Sequence, residues 1–67
     1  MRLIEIISVI PDYQDVEVHY EDPHESRWTL LGVYNGKDSI PTFYNEAWVN
    51  QVYAQGNDII IVVDMNR

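Results

Sequence analysis

The segment DYQDVEVHYEDPHE, residues 12–25, holds the side chains best suited to chemistry. It contains both histidines of the chain and six of its acids, with no Lys or Arg. Glu17, His19 and Glu21 are spaced two apart, so a strand places them on one face, about 7 Å between neighbours. Carboxylates and imidazoles bind Zn²⁺, Mn²⁺ and Ni²⁺, but this spacing is wide for one ion. We favour a solvated strand face and expect no metal and no cofactor.

Catalytic patterns are lacking elsewhere in the sequence. There is no Cys, and Gly32, Gly36 and Gly56 are scattered rather than grouped in a phosphate-binding loop. No serine lies in a nucleophile-elbow context. Acid–base catalysis needs carboxylates with pKa values driven apart, and a short chain has little interior in which to do this. We expect no catalytic residue and no enzymatic activity.

The charge of the chain indicates which partners it can bind. Eleven acids against four Lys and Arg give a net charge of −7, which disfavours direct binding to nucleic acid. An acidic surface can instead bind a basic protein groove, or it can serve solubility alone. The candidate partner-binding residues in this segment are Glu17, His19, Glu21, Asp22 and Glu25.

Aromatic residues form a second candidate surface. They make up 12% of the chain, and Tyr and Trp are enriched at protein interfaces. The loop-like segment PTFYNEAW, residues 41–48, is the best place for exposed aromatics, which makes Phe43, Tyr44 and Trp48 candidate partner-binding residues. The alternative is that the aromatic residues fill a small core.

Local patterns predict one short helix and four strands. Residues 3–10 have helical spacing of apolar side chains but β-branched content, and we favour a short helix that Pro11 ends. Alternating or apolar runs predict strands at 15–21, 27–35, 48–54 and 59–65, in two hairpins. The expected fold is α+β, a single domain over residues 1–67. Its helix packs on a small twisted antiparallel sheet.

The run IIIVV, residues 59–63, is apolar on both faces of its strand. One short helix covers one face of a small sheet, so the other face must coil or meet a second copy. In the second strand, simple alternation puts Trp28 and Leu30 on one face and Leu31 and Val33 on the other. These patterns predict a homo-oligomer.

Localisation is inferred from apolar runs and the N-terminus. No run reaches the roughly 18 residues of a membrane span. The start MRLIEIISVIPD resembles a signal peptide, but Glu5 interrupts its apolar part and no cleavage site follows. We expect a cytoplasmic protein without membrane contact.

Three sequence pieces resemble a group of small proteins encoded by phages and prophages of gut Firmicutes. They are Ile10-Pro11-Asp12 followed by VEVHY, Gly32-Val33 with Ile40-Pro41, and the closing VNQVYAQGNDIIIVVD. The resemblance implies a helical first segment and a mobile-element origin, and it transfers no activity.

The predicted function is that of a non-catalytic acidic interaction module. If the protein is phage-encoded, it would bind and inhibit a host protein with a basic surface in the host cytoplasm. The most specific form of this hypothesis is that it mimics nucleic acid. One alternative is an oligomeric protein that sequesters a small ligand or metal. Another is a structural phage component.

Overall fold

The computed structural model describes residues 1–22, 24 and 27–64. Helix α1 spans Leu3–Ile7, and the strands are β1 (Asp15–Glu21), β2 (Trp28–Tyr34), β3 (Trp48–Gln55) and β4 (Asp58–Asp64). Single 3-10 turns lie at Lys37–Ser39 and Thr42–Tyr44. The short N-terminal helix and the four strands are thus confirmed. Among the described residues, no helix has the length and apolar character needed to cross a membrane.

Helix α1 is fixed at both ends by side chains. The Glu5 carboxylate accepts a hydrogen bond of 2.8 Å from the backbone N–H of Arg2. Beyond the other end, Lys37 Nζ donates to the carbonyl oxygens of Ile7 at 3.2 Å and Ile10 at 3.0 Å. A cation suits carbonyl groups left without helical partners. The helix ends at Ile7, earlier than the sequence pattern over residues 3–10 suggested.

The sheet has the strand order β2-β1-β4-β3. Strands β1 and β2 form one antiparallel pair and β3 and β4 the other, which confirms the two hairpins. Strands β1 and β4, however, are parallel, so the prediction of a fully antiparallel sheet is wrong. Residues 35–47 connect the two hairpins, and parallel neighbours require such a crossover.

One face of the sheet carries the hydrophobic core. Val16 and Val18 of β1 and Ile61 and Val63 of β4 are fully buried there. The covering side chains come from α1 and the crossover, namely Leu3, Ile40, Tyr44 and Ala47. Leu3, at 0% exposure, is the side chain of the five-residue helix that anchors it on this face, and Ile6 and Ile7 pack against the core while partly exposed.

The apolar run of β4 is explained by its central position. Ile61 and Val63 face the core, whereas Ile60 and Val62 face the other side, and all four are 0% exposed. Parallel central strands are commonly apolar on both faces. This burial is achieved within a single chain. The homo-oligomer therefore stays a prediction that needs a different argument.

A β-bulge changes which side chains share a face. The pairing of β1 with β2 shifts between Val18, opposite Gly32, and His19, opposite Leu30. Leu31 is the extra residue, and it packs against the core. Val33 consequently lies opposite Glu17 and on the same face as Leu30. The prediction that Val33 lies on the face opposite to Leu30 is wrong, because a bulge reverses alternation.

Candidate functional site

The sheet face opposite the core, here called the open face, carries polar and apolar side chains from all four strands. Cross-strand pairing assigns its members. They are Asp15, Glu17, His19 and Glu21 of β1, Trp28, Leu30 and Val33 of β2, Trp48, Asn50, Gln51, Tyr53 and Gln55 of β3, and Asp58, Ile60, Val62 and Asp64 of β4. The alternation of β1 thus places three of the predicted partner-binding residues together.

Aromatic rings form the centre of the open face. The ring centroids of Trp28 and Tyr53 are 6.0 Å apart, and those of Trp28 and His19 are 6.3 Å apart. Trp28 and Tyr53 belong to the two opposite edge strands, so their rings meet above the central strands. This arrangement accounts for the full burial of Ile60 and Val62 on a face that no helix covers.

Apolar surface continues from this centre toward the β2 edge. Leu30 is 52% exposed and Val33 is 55% exposed, while Trp28 and Tyr53 retain 36% and 38% exposure. Single exposed apolar residues are normal on a protein surface, but contiguous ones mark interaction sites. The open face offers such a patch.

The Glu21 carboxylate joins three strands at one end of the open face. Its Oε2 lies 3.4 Å from Trp28 Nε1, and its Oε1 accepts a hydrogen bond of 2.9 Å from Asn50 Nδ2. Both donors belong to edge strands, whereas Glu21 belongs to a central strand. The carboxylate is therefore held in place and its charge has a defined position.

A second group of carboxyls lies toward the other end. Glu17 Oε1 is 3.2 Å from His19 Nε2, with both side chains at least three-quarters buried. Partial burial raises the pKa of Asp58, and the hydrogen bond and charge of neighbouring Glu17 raise it further. Two carboxyl groups in contact repel each other when both are ionised. This end of the face therefore favours a cationic neighbour.

The negative charge of the open face is divided between its two ends. Asp15, Glu17 and Asp58 lie at one end, and Glu21 and Asp64 lie at the other. Asp58 and Asp64 are six positions apart along β4, a distance of about 20 Å in a strand. The aromatic centre lies between the two acidic ends.

The remaining acidic candidates lie after β1. Asp22 Oδ1 accepts a hydrogen bond of 2.8 Å from the backbone N–H of His24, a contact that closes a local turn. Asp22 is the residue after Glu21, the last residue of β1, so it adjoins the Glu21 end of the open face. Glu25 lies outside the described residues.

The aromatic candidates of residues 41–48 divide among three environments. Phe43 is 70% exposed, as predicted, and its ring centroid is 4.2 Å from that of Tyr44. Tyr44 is 7% exposed and belongs to the core, so its prediction as an exposed aromatic is wrong. Trp48 is half-buried beneath Arg2, whose guanidinium carbon is 5.2 Å from the ring centroid.

These placements separate the predicted aromatic surface from the acidic one. Tyr44, with Phe43 beside it, lies on the core side of the sheet. Trp48 is opposite Asp64 in the β3–β4 pair, at one end of the open face. Sequence reasoning missed Trp28 and Tyr53 as site residues. The alternation of β2 pointed to Trp28, but its approach to Tyr53 depends on strand order.

Within the described ranges, no group of three or more His, Asp or Glu side chains could hold a metal ion. That part of the chain also encloses no pocket. Whatever binds the open face would meet an exposed surface.

Comparison with known proteins gave no match. No protein-family description fits the chain, and neither a curated protein nor a solved structure is significantly similar to it.

Proposed function

We propose that the protein is a non-catalytic interaction module whose open face binds a basic surface of another protein. The observation that carries this proposal is the combination of an exposed aromatic and aliphatic centre with carboxylates at both ends. Interfaces typically combine an apolar, aromatic-rich centre with a polar rim.

The carboxylates supply direction and selectivity for Lys and Arg. Asn50 and Trp28 already hold the Glu21 side chain in place. Binding of a cation to its carboxylate therefore costs little additional side-chain entropy. Partial burial and then the contact with Glu17 raise the pKa of Asp58, and an incoming cation would offset the repulsion between these two carboxyl groups. Complementary charge also speeds encounter with a basic partner.

The apolar centre supplies the contact area. Trp28 and Tyr53 are each more than one-third exposed and lie within one cluster. Large aromatic anchors near the centre of an interface contribute most of its binding energy. The partner surface that fits is therefore a basic one with an apolar middle.

In the phage-encoded version of this proposal, the partner is a host protein in the cytoplasm and binding blocks it. If the blocked site is a nucleic-acid groove, the acidic ends of the open face take the place of phosphates. Competition with duplex DNA for the purified partner tests this version: exclusive binding supports mimicry, and simultaneous binding contradicts it.

The function is tested by capture from host lysate followed by affinity measurements with each purified captured protein. We expect affinity to fall about tenfold or more as NaCl rises through the physiological range, because paired surface charges are screened. Binding that does not change with salt would contradict the proposal.

Matched variants locate the binding face. Glu17→Gln combined with Glu21→Gln removes two charges from the open face, and we expect affinity to fall about tenfold or more. Asp38→Asn combined with Glu46→Gln removes two charges at exposed positions on other segments and should change affinity about twofold or less. Equal losses in both pairs would show that net charge, rather than the open face, governs binding.

A further inference from the structure

The two edge strands are free of charge on a strongly acidic chain. Neither β2, WTLLGVY, nor β3, WVNQVYAQ, contains an acidic or basic residue, whereas the net charge is −7. Both also lack the Lys and Pro residues that commonly protect sheet edges from pairing. Each edge therefore offers a strand that a second acidic chain can approach without direct repulsion.

No described residue pairs with the outer edge of β3 over the second part of the strand. Its beginning is covered, because Arg2 bridges to Trp48 and the Met1 carbonyl accepts a 2.8 Å bond from the Val49 N–H. A bulge at Asn50 follows, and residues 50–55 are all exposed. The run from Gln51 to Gln55 is regular, whereas the bulge at Leu31 divides β2.

Turn geometry determines which backbone groups of this run point outward. The hairpin loop consists of Gly56 and Asn57. Gly56 has φ 61°, and Asn57 does not have positive φ. Positive φ at the first loop residue alone is the pattern of a two-residue type II′ turn. Gln55 and Asp58 close this hairpin with a hydrogen-bonded pair. Because bonded and non-bonded pairs alternate, Gln55, Tyr53 and Gln51 bond to β4. The N–H and C=O groups of Val52 and Ala54 point outward.

We infer that a second copy of this chain pairs with this edge, antiparallel, through residues 51–55 and with its two-fold axis at Tyr53. Val52 then lies opposite Ala54 of the second copy in a hydrogen-bonded pair. By symmetry, Ala54 lies opposite Val52 of the second copy in an equivalent pair. These two pairs supply about four hydrogen bonds between the copies. The outward groups of Val52 and Ala54 are the ones that this register needs.

The side chains match in the same register. Tyr53 lies opposite Tyr53 of the second copy in the close, non-hydrogen-bonded position, where aromatic pairs stabilise a sheet. Val52, 42% exposed at the edge of the core face, gains an apolar neighbour in Ala54. Gln51 and Gln55 lie opposite each other as neutral amides. In an antiparallel pair of this run, each side chain meets one of similar character: Gln meets Gln, Val meets Ala, and Tyr meets Tyr. The run therefore suits a second copy, whereas a basic foreign strand would find no carboxylate in β3.

The pairing joins two four-stranded sheets into one of eight strands and puts both open faces on the same side. It goes beyond the proposed function and does not depend on it, since it rests on the backbone groups and neutral side chains of the β3 edge, although Gln51, Tyr53 and Gln55 also border the open face. A five-residue contact is small beside stable dimer interfaces, so the dimer should dissociate at low concentration.

Sedimentation equilibrium of the full chain over a wide concentration range tests the pairing. We expect a reversible monomer–dimer equilibrium. Ala54→Pro removes an outward N–H without removing a bond to β4, a substitution that strand edges tolerate. It should weaken the dimer about tenfold or more, with circular dichroism and melting confirming that the fold persists.

A second variant keeps the test decisive if Ala54→Pro folds poorly. Gln51→Glu combined with Gln55→Lys leaves net charge unchanged, places Lys opposite Asp58 within the chain, and places opposite charges across the interface twice. It should tighten the dimer about threefold or more. A wild type that remains monomeric at millimolar concentration would overturn the inference, as would a dimer that neither variant changes. A monomer whose capture of another protein is abolished by Ala54→Pro would assign the edge to a foreign strand instead.

Discussion

Trp28 and Tyr53 belong to opposite edges of the sheet, yet their ring centroids are 6.0 Å apart above the two central strands. This contact lets a sheet of four strands bury Ile60 and Val62 without a second helix layer. It also places an exposed aromatic centre between acidic ends. The same two side chains thus contribute to stability and, in the proposed function, to binding.

The Trp28–Tyr53 contact should be measurable as a coupling energy. Trp28→Leu and Tyr53→Leu are each expected to lower the free energy of unfolding. The loss in the double variant should be about 0.5–1.5 kcal/mol smaller than the sum of the two single losses. Urea unfolding of the four proteins gives this value. Tyr13→Leu, at a side chain 84% exposed, serves as the control and should couple to neither. Strict additivity would show that the rings do not stabilise each other.

Gly32 is required because the Tyr34 ring folds back over it. A Cβ at residue 32 would lie 2.6 Å from Tyr34 Cζ, so Gly32→Ala must displace the ring. We expect a loss of about 1–3 kcal/mol in unfolding free energy, typical of overpacking. In a Tyr34→Ala background the same substitution should cost much less. An equal cost in both backgrounds would locate the strain in the backbone.

Lys37 should stabilise the fold through the two carbonyl groups that it contacts. Its side chain is 19% exposed, and Nζ also lies 3.3 Å from Asp12 Oδ1. Lys37→Met should cost about 1–3 kcal/mol, because it leaves the carbonyl groups of Ile7 and Ile10 without this donor. Asp12→Asn should cost about 1 kcal/mol or less, since the Asp12 side chain is 83% exposed. Thermal or urea unfolding separates the two contributions, and a larger effect of Asp12→Asn would contradict this assignment.

Asp58 should make the protein less stable as pH rises. Its pKa in the folded state is raised above the ordinary 3.8 by partial burial and by Glu17. The folded state therefore binds this proton more tightly than the unfolded state, and stability falls as pH rises through the folded pKa. Asp58→Asn should raise Tm at pH 7 relative to wild type, and the difference should vanish below about pH 3.8.

The control for this pH dependence is Asp38→Asn, which makes the same change in net charge at an exposed position. Melting curves of the three proteins across the acidic range provide the comparison. If both variants raise Tm equally at pH 7, relief of overall negative charge explains the gain and the Glu17 contact does not.

Local sequence patterns determined the elements of this protein. The alternation of DVEVHYE predicted β1 with the bounds Asp15–Glu21, and apolar runs between turn residues predicted the other strands within a residue or two. Helical apolar spacing before Pro11 predicted α1. These features depend on residues within a few positions of one another, where backbone preference and alternation act directly.

Tertiary structure decided how those elements meet. The parallel pairing of β1 with β4, the bulge that places Val33 beside Leu30, and the burial of Tyr44 all arise from contacts between distant segments. The open face likewise needs the strand order before Trp28 and Tyr53 can meet. The sequence by itself determined that Glu17, His19 and Glu21 share one face. The aromatic centre beside them was decided by the tertiary fold, because periodicity within one strand carries no information about its neighbours.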